Sequence, residues 1–161
     1  MPIIQWKQAF ENLAKQNKNC NRSVTVFINN NEFTSTIFFL SAISNKVENS
    51  LYLDDNPDNF SFNCCIKDQK TYEILGELFN GKLMNKDLSD SIIIDLFEFA
   101  IAIECPDLIE FYHESFELSK YSLDNFTKNV IYFKYYDVKD EFITFVSQNI
   151  NNIGITNLVT I

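Results

Sequence analysis

The sequence predicts an α+β fold, a helical cluster flanked by a short β-sheet and followed by an additional helical hairpin. Three observations carry that prediction. A run of β-branched and aromatic residues at 24–28 leads into Asn29, Asn30 and Asn31, which tolerate left-handed backbone and fit a hairpin turn. Residues 60–66 alternate Phe60, Phe62, Cys64 and Ile66 on one side, the two-residue period of a strand. From Ser89 onward the apolar residues recur at helical spacing, with Pro106 placed where a first helical turn accepts it.

The elements follow in order. Trp6, Phe10 and Leu13 share one face of an amphipathic helix, with Lys7, Glu11 and Lys15 on others; the polar residues 17–21 end it. A strand at 24–28 and a short strand at 32–34 form the hairpin. A helical pattern runs from Ser35 through Ile37, Leu40 or Phe39, and Ile43, and continues in four-residue steps to Val47 and Leu51. A loop holding Asp54, Asp55, Pro57 and Asp58 breaks it. After the strand at 60–66, Asp68 caps a helix that buries Tyr72, Leu75, Leu78 and Phe79, and Asn80 with Gly81 ends it through the left-handed position.

Ser89 caps the next helix, about 90–103, which is apolar nearly all round and reads as central and buried. The helix opened by Pro106 carries Leu108, Ile109, Phe111, Tyr112 and Phe116. A weak internal repeat then sets Phe126, Val130, Ile131, Phe142, Ile143 and Phe145 against Ile92, Leu96, Phe97, Leu108, Ile109 and Phe111, so one helix pair is expected to stack on another.

Length and composition bound the function. A chain of 161 residues fits one domain, or one domain plus an appendage, and buries roughly 70% of its unfolded surface on folding. With 46% hydrophobic and 22% charged residues it belongs to the globular class. Its single Arg and three Gly beside abundant Asn, Ile, Phe and Tyr match an AT-rich coding sequence, so abundance alone says little about function. Charge says more: the net is −9, and residues 1–22 hold four of the bases against one acid. So acidic a body repels phosphate backbones, which argues against nucleic acid as a partner.

Nothing in the sequence assembles an active site. Cys20, Cys64, Cys65 and Cys105 form no CxxC pair and have no His at ligand spacing, so free thiols in a reducing compartment are the expectation, with no zinc, disulfide or cofactor. His113, the one imidazole, has Tyr112 and Glu114 beside it and no nucleophile to serve; a structural histidine is expected. Gly76, Gly81 and Gly154 cannot make a phosphate-cradling loop, and Asp54, Asp55 and Asp58 lack the spacing of a calcium loop. No secretory leader opens the chain and no apolar run approaches a membrane span, so a cytoplasmic or nuclear protein without a small-molecule substrate is expected.

Three stretches in order resemble a BTB/POZ domain. Residues 23–44, SVTVFINNNEFTSTIFFLSAIS, resemble the family's strand-turn-strand-helix opening, with Phe33, Leu40, Ala42 and Ser44 on its usual positions. Residues 72–83, YEILGELFNGKL, are similar to its helix ending in an aromatic-x-Gly turn. Residues 96–112, LFEFAIAIECPDLIEFY, resemble its helical hairpin, with Ala100, Pro106 and Leu108 in place. The resemblance covers about residues 5–117, which sets a BTB/POZ-like domain at 1–117 and a BACK-like helical extension and tail at 118–161.

What the resemblance implies is binding by shape, without catalysis. In the family the N-terminal helix packs across a two-fold axis, sometimes with a leading strand exchanged, which would make Ile3, Ile4, Trp6, Phe10 and Leu13 a homodimer interface; the alternative is that this stripe packs on its own domain. Ubiquitin ligase adaptors of the family offer cullin scaffolds a hydrophobic-x-Glu motif after the second helix, and Leu53 and Asp55 stand there, with Asp in place of Glu. The charged dimer-face pocket of repressor-type members is missing, since Ser23 and Ile37 occupy its acidic and basic positions; Thr36 stands where the family's histidine opens the second helix. Two functions follow: a dimeric adaptor tethering substrates to a cullin-class ubiquitin ligase, or a self-association module of a larger protein. The tail from Asn149 to Ile161, with Gly154 and no helical period, ends without a substrate-recognition domain, from which the second function, or a shortened chain, is expected.

Overall fold

A computed structural model describes residues 4–7, 9, 22–53, 57–80 and 88–153. The fold is mixed α+β, with seven helices and one three-stranded sheet among the described residues. The chain divides into two compact units, Met1–Tyr112 and His113–Ile161.

In the first unit, β1 (Ser23–Ile28) and β2 (Asn31–Thr36) pair antiparallel, Ser23 opposite Thr36 and Ile28 opposite Asn31. Asn29 takes a φ of 54° at the turn, the left-handed backbone that Asn accepts more readily than most residues. β3 (Asn59–Phe62) runs parallel to β1 on its other side, so the strand order is β2-β1-β3. Val24, Val26 and Ile28 are buried on one face of β1, as a half-buried strand requires.

The strand expected at 60–66 stops at Phe62. β1 ends at Ile28, whose partner is Phe62, so no ladder remains for the residues beyond. The backbone of Cys64 bonds the Asn29 side chain instead: its N–H donates to Oδ1 at 3.1 Å and its carbonyl accepts from Nδ2 at 3.0 Å. Asn29 Nδ2 also donates to the Tyr72 hydroxyl at 2.9 Å, which leaves Tyr72 half-buried at the edge of a stripe expected to bury it.

The single helical pattern expected over 35–51 resolves into two helices, α1 (Ile37–Ile43) and α2 (Asn45–Ser50), with Ser44 extended between them at φ −127°. Thr36 caps α1 by accepting from Phe39 N at 3.1 Å, and Ser44 caps α2 by accepting from Val47 N at 3.1 Å. Periodicity alone cannot register a one-residue break whose flanking apolar residues still face the core, and Leu40, Ile43 and Val47 are all buried.

Helix α3 (Gln69–Phe79) starts as expected at Asp68, whose carboxylate accepts from Lys70 N at 3.0 Å. It ends at Asn80, which takes a φ of −86° and is not itself left-handed; Gly81, the other residue expected at that stop, lies outside the described residues. Helix α4 (Asp90–Ile103) is buried along most of its length, through Ile92, Ile93, Leu96, Phe97, Phe99, Ala100 and Ile103. Ser89 precedes it, although its hydroxyl pairs with that of Ser91 and makes no capping bond. Pro106 opens α5 (Pro106–Ser115), whose Tyr112 ring stacks on Phe97 with centroids 4.1 Å apart. Phe79 meets Phe33 at 5.4 Å and Phe99 at 6.0 Å, so sheet, α3 and α4 share one aromatic seam.

In the second unit, α6 (Phe126–Phe133) and α7 (Asp140–Asn149) pack around Phe126, Phe142 and Ile153, with Tyr121, Val130, Phe133, Phe145 and Val146 at the margin. Ile143, paired by the internal repeat with half-buried Ile109, is 54% exposed, so the repeat holds for Phe126 and Phe142 and fails there. No helix among the described residues is long and apolar enough to cross a membrane.

Candidate protein-interaction surface

Among the described residues two large apolar side chains stand out by exposure: Tyr52 at 81% and Leu53 at 91%. They occupy the turn that closes α2. Its backbone is held from behind, since Leu51 N donates to Val47 O, Tyr52 N to Asn49 O at 3.3 Å and Leu53 N to Ser50 O at 3.0 Å. The pair is therefore displayed on hydrogen-bonded backbone.

Helix α2 is in turn tied to the C-terminal end of α4. Ser44 Oγ donates to the Ile103 carbonyl, Asn45 N to the Glu104 carbonyl at 3.1 Å, and Lys46 Nζ to the Ala102 carbonyl at 3.3 Å. These are carbonyls that a helix end leaves without intrahelical partners, and a lysine there also meets the negative end of the helix dipole. Lys46 Nζ lies 5.7 Å from the centroid of the Phe62 ring as well. Glu104 holds a left-handed φ of 56° as the cap of α4.

A second set of ties fixes the start of α3. Asp95, buried within α4, accepts on Oδ2 from Lys67 N at 3.0 Å, Asp68 N at 2.7 Å and the Thr71 hydroxyl at 3.0 Å. A buried carboxylate with three donors is a structural clamp. Its signal was present in the sequence, because an acid in the middle of a helix that is apolar nearly all round must find donors. Tyr52 carries no comparable signal; its prominence comes from the turn that follows the Ser44 break.

Of the residues expected at a dimer interface, Ile4 is buried at 8% exposure and Trp6 is half-buried; Ile3, Phe10 and Leu13 lie outside the described residues. Lys7 and Ala9 are helical, and Ala9 N donates to buried Asp107 Oδ2 at 2.9 Å, so an α5 carboxylate accepts an amide of the N-terminal helical segment. Of the proposed cullin contacts, Leu53 is fully displayed and Asp55 lies outside the described residues.

Burial pushes the Cys105 thiol from its ordinary 9.0 up to about 12. Burial, aided by the charges of Glu98 and Asp95 and by Cys65, takes Cys64 up to about 12 as well. Both stay protonated near neutral pH, which is the wrong state for a nucleophile or metal ligand. His113 is half-buried and meets the Tyr132 ring edge-on at 5.7 Å. Among the described residues no cluster of His, Cys, Asp and Glu could hold a metal ion. No protein-family model matches the chain, and no curated protein matches it either.

Proposed function

We propose that this chain is a protein–protein interaction module of BTB/POZ type, a homodimer acting as an adaptor that links substrates to a cullin-class ubiquitin ligase and contributes no catalytic residue. The observation that carries the proposal is the display of Leu53 beside Tyr52 on a turn anchored through α2 to α4. Exposed apolar side chains on pinned backbone cost little ordering on binding and suit the anchor role in an interface. The order of elements supports the family reading: a hairpin, helices, a strand, a helix, and then a helical hairpin whose second helix is opened by Pro106. In this reading Leu53 enters an apolar slot of the cullin and Asp55 accepts a hydrogen bond beside it.

Self-association without a ligase role is the second reading. The second unit favours it through its exposed apolar residues Leu123, Val138, Ile143 and Ile150. Pulldown with purified cullin N-terminal domains, paired with mass measurement in solution, separates the two. Dimer mass with cullin capture supports the adaptor; dimer mass without capture supports the self-association module. A monomer mass for the unmodified protein removes the dimer from both, whereas Phe10→Asp is expected to convert a dimer to a monomer or a poorly soluble species.

A further inference from the structure

The N-terminal segment is tied to the body of its own unit through a buried carboxylate. Ile4, Gln5 and Trp6 precede helical Lys7 and Ala9, so the Ala9 amide belongs to a first turn, whose N–H groups have no intrahelical acceptor. It donates to buried Asp107 Oδ2 at 2.9 Å, 98 residues along the chain. Asp107 stands in the first turn of α5, directly after Pro106. One carboxylate thus lies at the N-terminal ends of two helical segments, where the helix dipole favours negative charge. Ile4 and Ala9 are buried and Trp6 is half-buried, while Gln5 and Lys7 are exposed. One face of the segment is therefore spent on its own domain.

We infer that the segment carrying Ile4, Trp6 and Ala9 is a strap latched on its own domain by the Asp107 carboxylate, and that it comes off as a unit when the latch is lost while the helices and sheet behind it stay folded. A short terminal segment gives up few buried contacts by leaving, so its opening free energy lies well below that of the whole fold. The latch bond is charge-assisted and strong for a single hydrogen bond, so it supplies a large share of that small total. Asp107 is in this sense a positioning residue for the strap. The strap also limits what a second copy can reach. Ile4 and Ala9 are covered within one chain, which leaves Trp6, of the described residues expected at a dimer interface, with surface to offer across a two-fold axis. That last step rests on the homodimer reading; the latch does not.

The test uses the full chain and two reporters on the strap, amide hydrogen exchange at Ala9 and the fluorescence of Trp6, the one tryptophan in the sequence. In Asp107→Ala the Ala9 amide is expected to exchange at least roughly tenfold faster, one decade being 1.4 kcal/mol of a lost charge-assisted hydrogen bond. Trp6 emission should move to longer wavelength and be quenched more readily by acrylamide, while amides of α4 such as that of Phe97 keep their protection. Asp107→Asn keeps one oxygen in nearly the same shape and should fall between the unmodified chain and Asp107→Ala; it carries the test if Asp107→Ala does not fold. Unchanged Ala9 exchange and unchanged Trp6 emission in both variants would overturn the inference. So would exposure of Trp6 only together with loss of protection in α4, since strap and body would then be one cooperative unit. Mass measurement in solution separates the latch from the dimer. A monomer mass beside a strap that opens in Asp107→Ala sinks the dimer alone, and a dimer whose strap ignores both substitutions sinks this inference alone.

Discussion

The Ser44 hydroxyl donates to the Ile103 carbonyl, 59 residues away in sequence, while its oxygen accepts from the Val47 amide. One side chain thus caps α2 and satisfies an end carbonyl of α4. Ser44→Ala removes the cap and strips a buried carbonyl of its partner, so a loss of about 2 kcal/mol is expected in urea unfolding. A change under about 0.5 kcal/mol would mean that the neighbouring bonds from Asn45 and Lys46 hold α2 without it.

Asp95 faces a harsher test. Asp95→Ala leaves Lys67 N–H, Asp68 N–H and the Thr71 hydroxyl short of an acceptor in or near the interior. The expected cost is about 3 kcal/mol, read as a lower urea midpoint. Asp95→Asn, which keeps one oxygen and nearly the same shape, should recover part of it.

Gly76 sits inside α3, and a methyl added there would meet the Phe33 ring at 3.7 Å, an ordinary contact. Gly76→Ala should therefore stabilise the fold by about 0.5–1 kcal/mol, since the helix no longer orders a glycine. Thermal unfolding checks it, and a lowered midpoint would show that the Phe33 ring cannot give way.

Cys105 sets an alkaline limit. Burial raises its thiol from 9.0 to about 12, so the fold favours the neutral form. That contribution is whole below the unfolded-state value, and it is lost as pH climbs from about 9 towards about 12. Tyr112, also raised by burial, acts in the same direction. Stability should fall over this window, and Cys105→Ala should reduce the slope even if it lowers stability at neutral pH. Native-state alkylation should label exposed Cys65 well before Cys105.

Local chemistry was legible in the sequence where one residue decides one event. Asp68 starts α3, Pro106 opens α5, Asn29 turns the hairpin, and the apolar surface of residues 90–103 marks the buried helix α4. Events that depend on a distant partner were not. The end of β3 at Phe62 follows from where β1 runs out, and the break at Ser44 follows from carbonyls of α4 far along the chain. The candidate surface shows the same division: Leu53 was reachable through a family resemblance, whereas Tyr52 gains its place only from the turn.

The most direct measurement of the account is the affinity of the purified protein for a cullin N-terminal domain, taken for the unmodified chain, Leu53→Ala and Asp55→Glu. The account predicts binding by the unmodified chain and at least roughly tenfold weaker binding for Leu53→Ala, one decade being 1.4 kcal/mol of a lost apolar anchor. It also predicts tighter binding for Asp55→Glu, which restores the longer carboxylate. No binding at high micromolar cullin, with no rescue by Asp55→Glu, would contradict the adaptor role and leave the self-association module as the better account.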